Sequence, residues 1–294
     1  MERKVATGFT NKNRNKKGSK IGSVFYADLT WPELREAAKK GVVILLPVGS
    51  TEQHGPHLPL KVDWLCASEV CRRAAEILAG DALVMPTVYY GFQEHTMDFP
   101  GTISIRDEHF INYVYDICRS LAHHGFKKII IVNGHGSNIP NLDLVMRRVN
   151  NYHPDTMCAL VSWWDLVFRV GDRQEAMAKL RESEFPGGMS HACELETSVL
   201  LYLEPSLVQM DKAVKEVPPK TSEFTWGDLM VGAWHSPVHT VDFTSRTTMT
   251  GISGDPTVAK AEKGRAWLET AAENLAKFII EWKERPIKPR IDHH

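Results

Sequence analysis

Val42-Val43-Ile44-Leu45-Leu46-Pro47-Val48, running directly into Gly49-Ser50-Thr51-Glu52-Gln53-His54-Gly55-Pro56-His57-Leu58-Pro59-Leu60-Lys61-Val62-Asp63, is the stretch on which the reading of the chain turns. Its first part is an unbroken apolar run. Such a run reads as a strand buried on both faces, because a strand with one wet face would alternate apolar and polar residues. The second part is a loop that offers Glu52, His54, His57 and Asp63, its path shaped by Gly55, Pro56 and Pro59. Carboxylates and imidazoles gathered at a strand end are the donors a divalent transition metal needs. Oxygen and nitrogen ligands without thiolate suit Zn, Mn or Fe.

Outward from this stretch, strands alternate with helices. Ile21 to Tyr26 is a short strand candidate, and Thr30 and Glu33 form a capping box for a helix that Gly41 closes. Asp63 to Ala79 has helical apolar spacing, which puts Asp63 at a helix N-terminus. Ala82 to Tyr90 and Lys128 to Val132 read as strands, Asp107 to His124 and Pro140 to Asn150 as helices, and Met157 to Trp163 as a further strand. His191 to Leu203 and Pro256 to Trp282 read as helices, with irregular chain at 165–188 and 206–255. This order predicts an α/β protein with a mainly parallel sheet and helices on both faces. Ligands collect outside the carboxyl ends of such strands. The polar clusters after 42–48, 82–90 and 128–132 are therefore expected along one edge.

With 294 residues, 43% apolar and 24% charged, the chain can bury a sizeable core. The expected organisation is a basic arm at 1–20, one α/β domain at 21–285, and a tail at 286–294. A formal net charge of −1 gives no global field for nucleic acid or an anionic membrane. No apolar run has the length of a membrane span, and the N-terminus lacks the apolar region of a secretory signal. Cys66, Cys71, Cys118, Cys158 and Cys193 are scattered and form no CxxC, as expected of reduced thiols in the cytoplasm. A nucleophilic Cys193, between His191 and Glu194, is an alternative that the usual burial of free Cys disfavours.

Four stretches together resemble the creatininase (creatinine amidohydrolase) family: Glu52-Gln53-His54-Gly55-Pro56-His57-Leu58-Pro59 with Asp63, Phe99-Pro100-Gly101-Thr102, Asn133-Gly134-His135-Gly136-Ser137-Asn138, and His191-Ala192-Cys193-Glu194-Leu195-Glu196-Thr197-Ser198. They fall in the family's order. The resemblance implies a creatininase-like three-layer sandwich, a homo-oligomer (a hexamer in that family), a small-molecule substrate and two divalent metal ions. It implies Asp63 as the bridge, Glu52 and His135 on one metal, and His54 on the other. One departure matters: the position of Ser137 is a glutamate in creatininase and completes the second metal. Glu194 is the expected replacement, because it lies three residues after His191 on the same helix face.

The resemblance further implies His191 as the catalytic histidine, passing a proton to the leaving group. His95 is a candidate substrate contact. His57 and Glu196 are expected to support the ligands rather than bind metal, with Glu196 orienting a ligand histidine. Asn133 and Asn138 are expected to hold their turn, and backbone N–H groups near Ser137 and Asn138 to stabilise an oxyanion. Trp226, Trp234, His235 and His239 are candidates to wall the pocket or an interface. The expected activity is metal-dependent hydrolysis, in which metal-bound hydroxide attacks the carbonyl of a small cyclic amide or related ring compound. The alternatives are a cyclic polyol ketone or lactone, a formamide or peptide substrate, and a metal-stabilised binding protein without turnover.

Overall fold

The structure is a computed structural model and describes residues 22–217, 222–231 and 238–294. The expected arm at 1–20, Trp234 and His235 lie outside the described residues. In chain order the elements are α1 (Trp31–Lys39), β1 (Val43–Val48), α2 (Val62–Leu78), β2 (Ala82–Val84), α3 (Asp107–His123), β3 (Lys128–Asn133), α4 (Ile139–Tyr152) and β4 (Met157–Ser162). There follow α5 (Asp165–Phe168), α6 (Gln174–Ala178), β5 (Met189–His191), α7 (Glu194–Leu203), β6 (Ser253–Gly254) and α8 (Ala261–Glu284). Strands β1 to β4 form one parallel sheet in the order β2-β1-β3-β4.

Alternate side chains of the central strands feed two separate cores. Ile44, Leu46, Ile129 and Ile131 pack with Ala37 of α1, Phe110 and Val114 of α3, and Leu142 and Val145 of α4. Val43, Leu45, Ile130 and Val132 pack on the opposite side with Val62 and Cys66 of α2, Leu195 and Val199 of α7, and Trp267 and Leu268 of α8. Every residue of β1 and β3 is buried, which is why their sequences read as continuous runs. Each large apolar side chain so buried contributes roughly 1.5–3 kcal/mol.

Several boundaries differ from the sequence reading. The strand expected over 82–90 stops at Val84 and returns as a single bridge between Val48 and Val88. Pro47 and Pro86 interrupt the ladder there, since neither has an N–H to donate. Of the strand expected over 21–26, Ile21 lies outside the described residues, and the rest gives one bridge, Phe25 with Val84, and the start of a 3₁₀ turn at Tyr26–Asp28. The helix expected from His191 begins at Glu194. Ala192 adopts φ +52°, which ends β5 before the helix can start. The last helix begins at Ala261, after a 3₁₀ turn at Pro256–Val258 that Asp255 caps. Among the described residues no helix is long and apolar enough to cross a membrane.

Candidate metal centre

The sheet order places the site. The chain leaves β1 toward β2 on one side and β3 toward β4 on the other, so the loops after β1 and β3 diverge and leave a crevice between them. Val48 and Asn133, the last residues of those strands, are register partners. The Glu52–His54 loop and His135 therefore start side by side. Close backbone contacts fix the distance. A Cβ on Gly49 would lie 2.3 Å from the Trp64 nitrogen, and one on Gly134 would lie 2.1 Å from the Asp63 carbonyl oxygen, so only glycine lets both strand ends reach the first turn of α2. That turn carries Asp63, where the helix N-terminus favours a carboxylate.

Two groups of potential donor residues result, the second including the cleft-wall His191 beside its carboxylate and imidazole. Glu52, Asp63 and His135 form one, and His54, His191 and Glu196 the other, with the donor atoms of each group within 4.8 Å of one another. Asp63 lies between them. Its Oδ1 is 3.1 Å from His54 Nε2, and its Oδ2 is 3.1 Å from His135 Nδ1. Glu52 Oε2 is 2.8 Å from His135 Nδ1, and Glu196 Oε1 is 3.8 Å from His54 Nε2. Ser50 donates from Oγ to Asp63 Oδ2 at 2.5 Å and to Glu52 Oε2 at 3.2 Å.

Glu52 Oε1 and His54 Nε2 are buried without a hydrogen-bond partner. Buried polar atoms are normally satisfied, and these two instead face the charged atoms of His191, Asp63 and Glu196, as atoms that would converge on a cation do. Electrostatics agree. Burial raises the Glu52 carboxyl, but the charges of His135 and His191 outweigh it and hold it at about 2. Burial lowers His54 and His135, yet Asp63 holds His54 well above the usual range, and Glu52 and Asp63 hold His135 at about 10. Asp63 is depressed in turn by both imidazoles. The carboxylates thus demand positive charge, and without a metal the two imidazoles supply it as bound protons. The donors are oxygen and nitrogen only, a set suited to Zn, Mn or Fe.

The structure corrects the sequence reading at Glu194 and Glu196. Glu194 is fully buried but faces away from the centre. Lys263 Nζ lies 2.5 Å from its Oε1, and the amides of Glu182 and Ser183 donate to it. It is a structural anion inside an ion pair. Glu196, expected only to orient a ligand, is the carboxylate that reaches the centre. Its Oε2 accepts from the Cys193 amide at 3.2 Å, and this cap turns Oε1 toward His54. Because β5 runs through His191 and the helix starts three residues later, the i to i+3 spacing from His191 does not select one helix face.

His191 lies in β5 on the cleft wall, its Nε2 2.9 Å from the Gln53 carbonyl oxygen and 3.8 Å from Glu52 Oε1. His95 Nε2 lies 3.4 Å from Ser137 Oγ, and both residues line the cleft. Burial lowers His95 to about 4 and His57 to about 4, so both stay neutral at physiological pH. His57 pairs through Nε2 with Thr197 Oγ1 at 2.9 Å and braces the loop against α7. Asn133 accepts from the His135 amide and donates to the His135 carbonyl, closing that turn. Asn138 accepts from Phe92 N and donates to Gly49 O. The Asn138 amide is already bonded to the His135 carbonyl, which removes it from the expected oxyanion site. Cys193 is buried, with burial pushing its thiol well up, so it cannot serve as a thiolate nucleophile.

Sequence reasoning missed Ser50, which links two of the carboxylates, and Gln53, whose side chain bonds Gly251 O at 2.9 Å and contacts His191. No spacing signal marks either residue. The cleft encloses about 380 Å³. Trp226 and His239 line it, together with Trp164 and Pro186.

Fold and site together define an α/β protein with a candidate divalent-metal centre at the switch point of its parallel sheet. Similarity to known proteins gives the family. The creatininase model (creatinine amidohydrolase) matches residues 27–279, and the chain belongs to that family. It is 32% identical over 271 residues to the creatinine amidohydrolase of Pseudomonas putida, covering 88% of this chain and 97% of that protein. It is 26% identical to the 3-dehydro-scyllo-inosose hydrolase of Thermotoga maritima, covering 89% of this chain and 84% of that one. A solved variant of creatininase of Zn-Zn type superposes with a TM-score of 0.73 at 32% identity, over 90% of this chain and all of that one.

Proposed function

We propose that this protein is a dinuclear metal-dependent amidohydrolase acting on a small cyclic amide or related ring compound. The observation that carries this reading is Asp63, with one oxygen 3.1 Å from His54 and the other 3.1 Å from His135. In this reading Glu52 and His135 would hold one ion and His54 and Glu196 the other, with Asp63 available to both. Such a pair, when bound, makes a nucleophile of water near neutral pH and polarises the carbonyl under attack.

The protein's own groups do the rest. Ser50 and the Cys193 amide fix the carboxylates, so the ligands are set before substrate arrives. His191 carries the proton. With Nε2 protonated it donates to the Gln53 carbonyl at 2.9 Å, and from the cleft wall it passes that proton to the departing nitrogen. His95, neutral, offers one ring nitrogen to substrate beside Ser137. The Thermotoga relative supports a second reading, hydrolysis of a ring ketone by the same centre. Ser137, standing where the resemblance expects a glutamate, moves the chain away from creatinine itself.

Five free buried cysteines support a reducing compartment, and exposed Trp31 and Met249 offer apolar surface for a homo-oligomer. The test of function is metal content on protein purified without chelator, followed by a screen of cyclic amides, formamides and ring ketones. About two equivalents in the wild type, lost in Asp63→Ala along with any activity found, is the expected result. Metal content unaffected by Asp63→Ala removes the bridged centre.

A further inference from the structure

A second hollow of about 390 Å³ opens beside the cleft. Phe92 and Pro140 form one wall, and Val241 and Phe243 the other. His95, Ser137, Val241 and Asp242 line both hollows, so the two are continuous. The His95 ring stacks 6.3 Å from that of His135, which puts the passage between them next to the ligand cluster.

The walls are built rather than incidental. Asn138 bonds the Phe92 amide and the Gly49 carbonyl, so the Phe92 wall is tied to the exit of β1. Pro140 belongs to the first turn of α4, and Ser245, two residues after Phe243, bonds Asp98. Glu94 and Asp242 supply the acidic groups of the lining. Phe243 remains 40% exposed and Val241 56% exposed, an apolar surface that a ligand would cover.

We infer that this groove is a specificity subsite that receives an apolar, uncharged arm of the substrate whose carbonyl sits at the metal centre. The inference rests on the proposed hydrolase reading and deepens it: the substrate is larger than a bare small ring and carries an alkyl or aryl substituent. Apolar walls reward each buried methylene with about fourfold tighter binding. Glu94 opposes a terminal carboxylate by charge repulsion, while Asp242 is paired with Arg246 at 2.8 Å.

The test uses hydroxamates, which chelate divalent metals, titrated calorimetrically into the zinc-loaded full chain. Acetohydroxamate reports the centre alone, and its failure to bind overturns the metal-centre reading itself. Hexanohydroxamate is expected to bind at least about tenfold more tightly than acetohydroxamate. The same chain ending in a carboxylate is expected to lose about tenfold relative to hexanohydroxamate. In Phe243→Asp the ratio between the hexano and aceto compounds should fall toward one. If acetohydroxamate binds but the longer chains gain nothing, or if the gain survives in Phe243→Asp, the groove is not a substrate subsite.

Discussion

Glu194 and Glu196 lie two residues apart in the same helical turn, and their side chains meet opposite demands. Glu194 answers Lys263 inside the core, while Glu196 faces the ligand cluster. Substituting each separates the roles. Glu196→Ala is expected to lower metal content by about one equivalent. Glu194→Ala should keep the metal but lose about 1.5–3 kcal/mol of stability, because Lys263 loses its buried partner and retains only the half-exposed Glu182 at 2.8 Å. Elemental analysis beside denaturant unfolding reads both, and loss of metal in Glu194→Ala with stability intact would reverse the assignment. His191→Gln should keep the metal and lower kcat by about 10²–10⁴ on whichever substrate the screen identifies. An unchanged kcat removes the proton carrier.

Helices α7 and α8 transmit geometry to the centre. A Cβ on Gly264 of α8 would lie 1.9 Å from the Ser198 carbonyl oxygen of α7. Backbone cannot yield as a side chain tip can, so Gly264→Ala must push the two helices apart. The expected cost is about 3 kcal/mol. Because α7 carries Glu196 in its first turn, metal affinity should fall as well, which calorimetric titration of zinc measures. Full affinity in a destabilised Gly264→Ala would mean that the Glu196 turn is held by its local cap rather than by α8. A similar dependence explains which elements were legible from sequence. The strands β1 and β3 are read from apolar runs because burial on both faces writes itself into every residue. The end of β2 at Val84 and the three-residue strand before α7 are not, since they depend on two prolines meeting across a ladder and on one residue, Ala192, in the left-handed region.

Across the whole molecule, pH acts on the centre with opposite signs in the two states. Without metal, the depressed Glu52, at about 2, contributes stability that is present above its unfolded value and lost as pH falls toward about 2. The raised His135, at about 10, contributes stability that is full below its unfolded value near 6.5 and lost as pH rises toward about 10. Metal-free protein should therefore lose melting temperature between about pH 6.5 and pH 10. Metal binding needs those imidazoles neutral, so it releases protons and strengthens over the same range. The melting temperature gained on adding zinc should widen with pH, as thermal unfolding with zinc and with chelator would show. A gain that shrinks with rising pH contradicts the ligand role of His54 and His135.

The sequence by itself determined the alternation of strands and helices, the doubly covered sheet, and the clusters at Glu52–Asp63 and Asn133–Asn138. All of these are written in residue type and short-range spacing, which local sterics and burial translate directly into structure. Only the tertiary structure decided that Glu196 and not Glu194 faces the centre, that Ser50 and Gln53 support it, and that an apolar groove adjoins it. Each of these depends on which atoms meet across gaps of tens to hundreds of residues, such as Lys263 with Glu194 or Gln53 with Gly251, and no local pattern encodes such meetings.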